Sequence, residues 1–279
     1  MVAPLMVFIT VLALYPTVLT IYGAFVHNDA LTPPTRFTGL GNFSSIFDNA
    51  QLRQSFENTA LYVVVGVLLS VFLGTVFAVL LQRKFRGRGI ILAIAVLPWA
   101  LPGVVEGVIW SWIYDPTFGV LNSVLKSLGL ISHYHLWIGT NGPKSIFFIS
   151  LVQVWQITPL ATILIMASLQ SIPGELYEAA TVDGATGLQM IRRITLPLVR
   201  AGLAIAVVEG LVMSINIFDQ VYILNAGATT ASSIMTETYE VTFQNLNFGQ
   251  GYALSLLATV TTIVLSLLAV KIIYRKIEY

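Results

Sequence analysis

The sequence predicts an all-α integral membrane protein with six transmembrane helices. Its 279 residues are 56% hydrophobic and only 10% charged, whereas soluble domains carry about 25% charged residues. The mean hydropathy is +0.83, and apolar stretches of about 20 residues, the length that spans a bilayer, recur along the chain. Backbone groups in lipid must be hydrogen-bonded within the protein, and the sequence lacks the short alternating strands of a barrel. The stretches are therefore predicted to be helices.

Six apolar runs qualify as spanning helices, and in chain order they are Met1–Val26, Thr59–Leu81, Gly89–Tyr114, Ser145–Gln170, Ala201–Leu224 and Tyr252–Val270. The first is longer than the apolar core of a signal peptide and lacks a basic leader, so it is predicted to span the membrane. The third contains Glu106, and the fifth contains Glu209 and Asp219. Charges in lipid are costly and need partners, water or a function. Pro98 and Pro102 predict a bend in the third helix.

The basic residues divide unevenly between the two sides that six spans create. Ten fall on one side: Arg83, Lys84, Arg86, Arg88, Arg192, Arg193, Arg200, Lys271, Arg275 and Lys276. Four fall on the other: Arg36, Arg53, Lys126 and Lys144. Because Lys and Arg are retained in cytoplasmic connections, both termini and the connection between the fourth and fifth helices are predicted to be cytoplasmic. Of the outer connections, one should hold a short helix near Val120–Leu128.

A polar segment, Ser171–Leu198, separates the fourth and fifth apolar runs. Ser171 and Pro173 predict the start of a helix that runs from Pro173 to Val182. Gly184 suits a left-handed terminating position, and Thr186 with Gln189 predicts a capping box that opens a second helix, ending before Pro197. The prediction is a helix-turn-helix outside the bilayer. These local signals alone leave two interpretations open: a docking surface for another protein, or a loop that only caps its own bundle.

The same segment contains the spacing E-A-A-x3-G-x9-I-x-L-P, from Glu178 to Pro197. This spacing resembles the cytoplasmic coupling loop of permease subunits in binding-protein-dependent ABC importers. Segments outside it are similar to the carbohydrate permeases of the maltose and glycerol-phosphate type: Phe37–Phe43, Arg86–Arg88, Leu97–Pro98, Tyr114–Asn122 and Gly251–Ala253. The resemblance extends from about Tyr15 to the end of the chain.

The resemblance implies the type I ABC importer permease fold, with residues 1–279 as one transmembrane domain and 171–198 as its coupling loop. It implies docking onto an ATPase through Glu178, Ala179, Ala180, Asp183, Gly184, Ile194, Leu196 and Pro197. Expected partners are a second related permease subunit in a heterodimer, two ATPase subunits that hold ATP and Mg, and an extracellular or periplasmic substrate-binding protein, which the outer connection Asn225–Gly251 should meet. The chain itself is expected to bind no cofactor and to lie in a bacterial or archaeal plasma membrane.

Polar groups in the fourth and fifth helices suggest where a substrate passes. Amides, hydroxyls and aromatic rings recognise sugar-like ligands, and in the resembled family the helices that flank the coupling loop contact the permeating sugar. These two arguments together predict a pathway through Gln153, Gln156, Ile157, Leu160, Gly210, Met213, Ser214 and Ile217. The alternative is that the polar members only join neighbouring helices.

The sequence contains no sign of catalysis. Gly139–Ser145 has the wrong spacing for a phosphate-binding Walker loop, and no nucleophile, histidine and acid are arranged for hydrolysis. There is no cysteine, only His133 and His135 suggest a metal pair, and a net charge of +1 gives no reason to expect nucleic acid. The predicted function is ATP-driven import of a sugar, polyol or sugar phosphate by alternating access. The alternatives are a proton-coupled transporter using Glu106 and Glu209, and a membrane scaffold that transports nothing.

Overall fold

A computed structural model describes residues 3–82, 85–139, 141–225 and 229–274. Within these ranges the chain is largely helical. The α-helices are α1 (Ala3–Ile9), α2 (Tyr15–Gly23), α3 (Gly41–Asp48), α4 (Ala50–Leu81), α5 (Arg88–Ala100), α6 (Gly103–Ile113), α7 (Val120–Ser127), α8 (Gly142–Gln170), α9 (Gly174–Val182), α10 (Gly187–Met190), α11 (Leu196–Leu198), α12 (Arg200–Ile215), α13 (Asp219–Leu224), α14 (Ile234–Tyr239) and α15 (Phe248–Ile273).

Shorter elements join these helices. Wide π-helical turns occupy Thr10–Leu14, Ile191–Thr195 and Glu240–Gln244, and a 3-10 turn occupies Thr229–Ala231. Two strands, β1 (Val26–His27) and β2 (Arg36–Phe37), pair antiparallel in a hairpin before α3. The short helix predicted near Val120–Leu128 is confirmed as α7.

Four helices are long and apolar enough to cross a membrane: Met6–Gly23, Ala50–Leu81, Gly142–Gln170 and Phe248–Ile273. Two bent pairs also pass that test. Arg88–Ala100 and Gly103–Ile113 meet at 101°, and Gly187–Leu198 and Arg200–Ile215 meet at 68°. The described chain therefore reaches the predicted six spans when each bent pair is one span.

The third predicted span is broken rather than merely bent. Leu101 has extended backbone, and Pro102 caps the start of α6. A residue before proline is pushed out of the helical region, because the proline ring clashes with its backbone. The sequence thus located this bend correctly, at the second of the two prolines, but the 101° angle divides the run into two helices.

The fifth predicted span, Ala201–Leu224, is wrong as a single helix. α12 ends at Ile215, and α13 starts at Asp219 after a three-residue break. The break frees the carbonyl oxygen of Ile217, which accepts a hydrogen bond of 2.7 Å from Oγ of Ser233. Both groups are buried. A distant side chain therefore replaces the backbone hydrogen bond that a continuous helix would have made.

Helices α4, α8 and α12 form the centre of the bundle. A Cβ added at Gly66 would lie 2.6 Å from Oε1 of Gln153, and one added at Gly74 would lie 2.8 Å from the Cβ of Ala161. Since residue numbers rise together along both helices, α4 and α8 run parallel. The missing side chains at the two glycines allow this close approach, as small residues do between membrane helices.

Helix α12 runs antiparallel to α8. A Cβ added at Gly202 would lie 2.7 Å from the Cβ of Ser168, whereas the carbonyl of Met213 accepts a 3.3 Å hydrogen bond from Nε2 of Gln153. We call the end of the bundle that carries residues 171–198 the loop end. The other end, where α4 and α8 begin, is the far end.

The described basic residues follow the predicted division between the two ends. At the loop end, Nε of Arg88 donates a 2.6 Å hydrogen bond to the carbonyl of Leu81, the last residue of α4. Arg200 begins α12 there, beside the last turn of α15. Arg53 and Lys144 lie in the first turns of α4 and α8, at the far end. Four of the predicted loop-end residues lie outside the described chain: Arg83, Lys84, Arg275 and Lys276.

Two buried asparagines hold the far-end connections together. Nδ2 of Asn42 donates hydrogen bonds of 2.9 Å to the carbonyls of both Ala24 and Val26. Asn122 donates to the carbonyl of His135 at 3.0 Å, and its Oδ1 accepts from the backbone N–H of the same residue at 3.0 Å. Both asparagines belong to the segments that resemble carbohydrate permeases, so those segments include residues that shape the connections.

Candidate functional site

The helix-turn-helix at the loop end forms as the sequence predicts in its central part. α9 ends at Val182, and Gly184 has a φ of +74°. The N–H of Gly184 donates to the carbonyl of Thr181, and the N–H of Ala185 donates to the carbonyl of Ala180, which is the Schellman pattern of a glycine-terminated helix. The capping box that begins α10 is complete in both directions, so the turn is confirmed.

Two of the predicted helix boundaries are wrong. Ser171 does not cap α9; its hydroxyl donates a 2.8 Å hydrogen bond to the carbonyl of Ser168 and terminates α8 instead. α9 consequently begins at Gly174, with Pro173 in the N-cap position. The second helix also passes through Pro197 and ends at Leu198. The π turn before it tolerates the proline, since the helix there already departs from regular i to i+4 bonding.

The surface of this loop is rich in exposed small and apolar side chains. Val182 is 87% exposed, and Leu188 is 76% exposed. Of the predicted ATPase-coupling residues, the exposed ones are Glu178, Ala179, Asp183, Gly184 and Leu196, and the half-buried ones are Ala180, Ile194 and Pro197. Exposed apolar side chains of this size in a polar segment are typical of a surface that another protein covers.

A hydrogen bond joins the two helical parts of the loop. Oη of Tyr177 on α9 lies 3.0 Å from Oγ1 of Thr195 in the π turn. Thr195 is buried, and the same helix leads through the 68° bend at Val199 into α12. The two helices of the loop are therefore joined by a side-chain contact as well as by the chain.

A first polar group lies inside the bundle between α4, α8 and α12. Oε1 of Gln153 and Oγ of Ser214 both point at Gly66, within 2.7 Å of where its Cβ would be. Both atoms are buried and have no hydrogen-bond partner among the described residues. A buried acceptor without a partner is costly, so this group can bind water or a passing hydroxyl.

A second polar group joins α6, α8 and α13. Nε2 of Gln220 donates to Oε2 of Glu106 at 2.8 Å and to Oε1 of Gln156 at 2.9 Å. Beside it, the rings of Trp110 and Trp155 meet edge to face with centroids 5.6 Å apart. Glu106 and Gln220 are absent from the predicted pathway. The charge in an apolar run was the signal for Glu106, but no local pattern pairs it with Gln220, 114 residues away.

The structure distributes the predicted pathway residues over three environments. Gln153, Met213 and Ser214 are brought together at the α8–α12 contact. Gln156 joins the Gln220 group, while Ile217 packs in an apolar cluster with Val221. The buried members are Gln153, Ile157, Gly210, Ser214 and Ile217, and the half-buried ones are Gln156, Leu160 and Met213.

A cavity of about 380 Å³ opens at the far end, and none of the predicted pathway residues lines it. Its wall is formed by Val221, Tyr222, Asn225, Thr229, Ser232, Thr236, Glu237, Tyr239, Glu240 and Gln244. Glu237 is 2% exposed and accepts hydrogen bonds from Nε2 of Gln51 at 3.0 and 3.2 Å. Burial raises the pKa of the Glu237 carboxyl above its usual value, against the opposing effect of the hydrogen bonds from Ser232 and Gln51.

The chain matches a family model over residues 66–278, and the description of that family is binding-protein-dependent transport system inner membrane component. The chain belongs to this family. The predicted permease family is thereby confirmed, and the predicted fold with it. The chain is a membrane-embedded permease of an ABC transporter, and membership in this family implies ATPase and substrate-binding partners.

Relatives match the chain over nearly its whole length. The trehalose/maltose transport system permease protein MalF of Thermococcus litoralis is 33% identical over 278 residues, covering 98% of this chain and 92% of the relative. The trehalose transport system permease protein SugA of Mycobacterium tuberculosis is 26% identical over 273 residues, covering 98% and 87%. The sulfoquinovosyl glycerol transport system permease protein SmoG of Agrobacterium fabrum is 29% identical over 262 residues, covering 92% and 84%.

The fold has solved counterparts. A chain of a bacterial alginate ABC transporter, crystallised in complex with an alginate pentasaccharide-bound periplasmic protein, superimposes with a TM-score of 0.83 at 22% identity. The match covers 99% of this chain and 95% of that chain. A chain of the MetNI methionine ABC transporter, in an inward-facing conformation, superimposes more distantly with a TM-score of 0.55. At these identities the comparison establishes the fold.

Proposed function

We propose that this permease carries a carbohydrate across the plasma membrane by alternating access, driven by ATP hydrolysis on separate subunits. The observation that carries the proposal is the exposed helix-turn-helix at residues 171–198, which belongs to a chain whose relatives are named as sugar permeases. Its apolar side chains, above all Val182 and Leu188, are not buried by other residues of the described chain. An ATPase subunit docked on this surface would move α9 and, through Tyr177, α12.

The proposed assembly contains a second related permease, two ATPase subunits that bind ATP and Mg, and an extracytoplasmic binding protein. The loop end then faces the cytoplasm with both termini, because it gathers most of the basic residues. The far end faces outward, toward the binding protein. The eight coupling residues from Glu178 to Pro197 form the docking surface. The eight pathway residues from Gln153 to Ile217 contact the sugar, and the partnerless oxygens of Gln153 and Ser214 support that assignment.

The docking test compares one substitution at opposite ends of the molecule. Leu188→Asp places a charge in the proposed contact, where desolvating an unpaired charge is costly. Leu130→Asp is the matched control, since Leu130 is 68% exposed at the far end. Leu188→Asp should lose co-purifying ATPase subunits and ATP-driven uptake of labelled trehalose, maltose, glucose and glycerol phosphate into proteoliposomes, while Leu130→Asp retains both.

Equal retention of ATPase subunits by the two variants would remove the docking assignment. The same proteoliposomes also separate the alternatives. Uptake that follows an imposed proton gradient and needs no ATP would support a proton-coupled transporter. No hydrogen bond joins its two candidate carboxylates, Glu106 and Glu209, within the described residues, which gives that relay no support. Uptake that is unaffected by deleting the chain would support a scaffold role.

A further inference from the structure

The far-end cavity has the size of a ligand site, and none of the predicted pathway residues lines it. Its volume of about 380 Å³ falls within the range of about 300–1,000 Å³ that is typical of small-ligand pockets. Val221 and Tyr222 of α13 form part of its wall, and the preceding residue of the same helix is Gln220, which bonds to Glu106 and Gln156. The six-residue helix α13 therefore contributes both to the cavity wall and to the second polar group, formed by Glu106, Gln156 and Gln220.

One acceptor in the wall, the Glu237 carboxyl, is oriented before any ligand arrives. Gln51, on the first turn of α4, holds both oxygens of the Glu237 carboxyl. The helix that carries Glu237 is itself anchored, because Oγ1 of Thr59 accepts a 2.9 Å hydrogen bond from the N–H of Ile234. A complete capping box at Ser233 begins the same helix. A ligand that binds here meets groups that are already oriented, so binding costs little side-chain entropy.

Two aromatic rings form a second part of the cavity wall. Tyr222 and Tyr239 both line the cavity, and their rings meet edge to face with centroids 5.5 Å apart. Phe218 stacks on Tyr222 at 5.3 Å and contacts Tyr239 at 5.4 Å, which fixes both tyrosines from behind. Tyr222 is 45% exposed and Tyr239 is 36% exposed. Apolar ring area thus remains available to a ligand in the cavity.

The chemistry of the wall selects among ligand classes. Its described members include two carboxyl groups, hydroxyls from Thr and Ser, and no Lys or Arg. Anionic ligands such as sugar phosphates would be repelled. A ligand with many hydroxyls and a flat apolar face matches a wall of acceptors, hydroxyls and tyrosine rings. An organic cation could also use the rings and the carboxyls, so the experiment must include one.

We propose that this cavity is an extracytoplasmic binding site for a neutral carbohydrate ring, held by Glu237 and Glu240 at its hydroxyls and by Tyr222 and Tyr239 at its face. Its use as an entry point for transported sugar rests on the proposed function. Binding itself requires neither ATP nor movement of the coupling loop, so it can be tested separately.

The absence of cysteine from the natural chain makes the test direct. Gln244→Cys places a thiol in the cavity wall, and Asn245→Cys places one on the next exposed residue, outside the wall. Both are made in the full chain within the assembled transporter, in right-side-out vesicles without ATP. The measured quantity is the rate of modification by a membrane-impermeant methanethiosulfonate, with and without maltose, trehalose or glucose, and with choline as the cationic probe.

At a sugar concentration of roughly ten times Kd, the modification of Gln244→Cys should slow about tenfold. Asn245→Cys should be unaffected. Adding Tyr239→Ala to Gln244→Cys should abolish protection, and adding Tyr239→Phe should preserve it, which distinguishes loss of the ring from loss of folding. The proposal is overturned if none of the sugars protects, if choline alone protects, or if the thiol reacts only in the isolated chain because a partner protein covers it. ATP-driven uptake that persists without protection would remove this site and leave the proposed function intact.

Discussion

The hydroxyl of Tyr177 lies 3.0 Å from the hydroxyl of Thr195, and this hydrogen bond joins α9, the first helix of the proposed coupling loop, to the turn that leads into α12. Thr195 is 3% exposed and Tyr177 is half-buried, so the bond is partly sheltered from water. A bond in this position contributes little to global stability, on the order of 1 kcal/mol. The bond matters because it connects the proposed docking surface to the turn that precedes α12, the helix that carries Ser214.

Tyr177→Phe should therefore uncouple the loop without unfolding the protein. The ring remains and the hydroxyl is lost, so ATPase subunits should still co-purify. We expect fewer sugar molecules to be imported per ATP hydrolysed, measured in proteoliposomes. Tyr15→Phe, at a 64% exposed tyrosine in α2, is the matched control. Unchanged stoichiometry in Tyr177→Phe would remove this bond from the coupling route.

Gly184→Ala tests whether the backbone conformation of the turn is needed for docking. Gly184 has a φ of +74°, where a side chain costs roughly 1–2 kcal/mol. Gly187→Ala is the control, because it lies in the helical first turn of α10, and neither added Cβ has an atom within 4 Å. Binding of the ATPase subunits should weaken in Gly184→Ala and stay unchanged in Gly187→Ala. If the two variants bind equally, the turn geometry does not matter for docking.

Gly66→Ala should destabilise the centre of the bundle. The added Cβ would stand 2.6 Å from Oε1 of Gln153 and 2.7 Å from Oγ of Ser214, and such overpacking costs roughly 1–3 kcal/mol. Gly89→Ala in α5 meets nothing within 4 Å and serves as control. The apparent melting temperature in detergent should fall for Gly66→Ala alone, and adding Ser214→Gly should restore part of the loss. No recovery in the double variant would place the strain elsewhere.

Gln153→Met tests the pathway itself. The substitution keeps the length of the side chain and removes the partnerless Oε1, the proposed acceptor for a sugar hydroxyl. It also removes Nε2, which donates to the carbonyl of Met213. Loss of one hydrogen bond of about 0.5–1.5 kcal/mol should raise the KM for uptake up to about tenfold. Gln170→Met, on the exposed last residue of α8, controls for the chemical change. A fall in stability with an unchanged KM would mean that Gln153 only joins helices.

The Glu237 carboxyl should make the far end sensitive to pH. Its pKa is raised by burial above the ordinary 4.5, so the folded state binds the proton more tightly than the unfolded state. The resulting stabilisation is complete below pH 4.5 and is lost as pH rises through the folded pKa. Hydrogen exchange of α14 should therefore speed up as pH rises, after correction for the intrinsic rate. Glu237→Gln should lack this dependence, and Glu57→Gln, at an exposed carboxylate on α4, should retain it.

The parts of the fold that depend on nearby residues could be predicted from the sequence. The cap at Thr186, the left-handed Gly184 and the bend at Pro102 each follow from one residue and its neighbours. The start of α9 could not be predicted, because a serine between two helices can end the first or begin the second. Ser171 bonds to Ser168, and only the packing of α8 decides between these choices.

The break after Ile215 and the contacts of the two polar groups could not be predicted, because they depend on residues that are distant in the sequence. Ile217 and its neighbours give the pattern of an apolar span, and the hydroxyl that satisfies the freed carbonyl belongs to Ser233, 16 residues later. Gln220 likewise finds Glu106 across 114 residues. Composition and periodicity describe each helix separately, whereas these contacts depend on which helices become neighbours.

The unbroken length of α8 has a mechanical consequence. Its 29 residues extend about 44 Å, and the helix continues through Pro159. Gly74 of α4 packs closely against Ala161 on the side of this helix. The paired helices therefore form a stiff unit that extends from residues 171–198 at the loop end to the far end. A tilt of this unit about the bundle centre would close the bundle at one end as it opens the other.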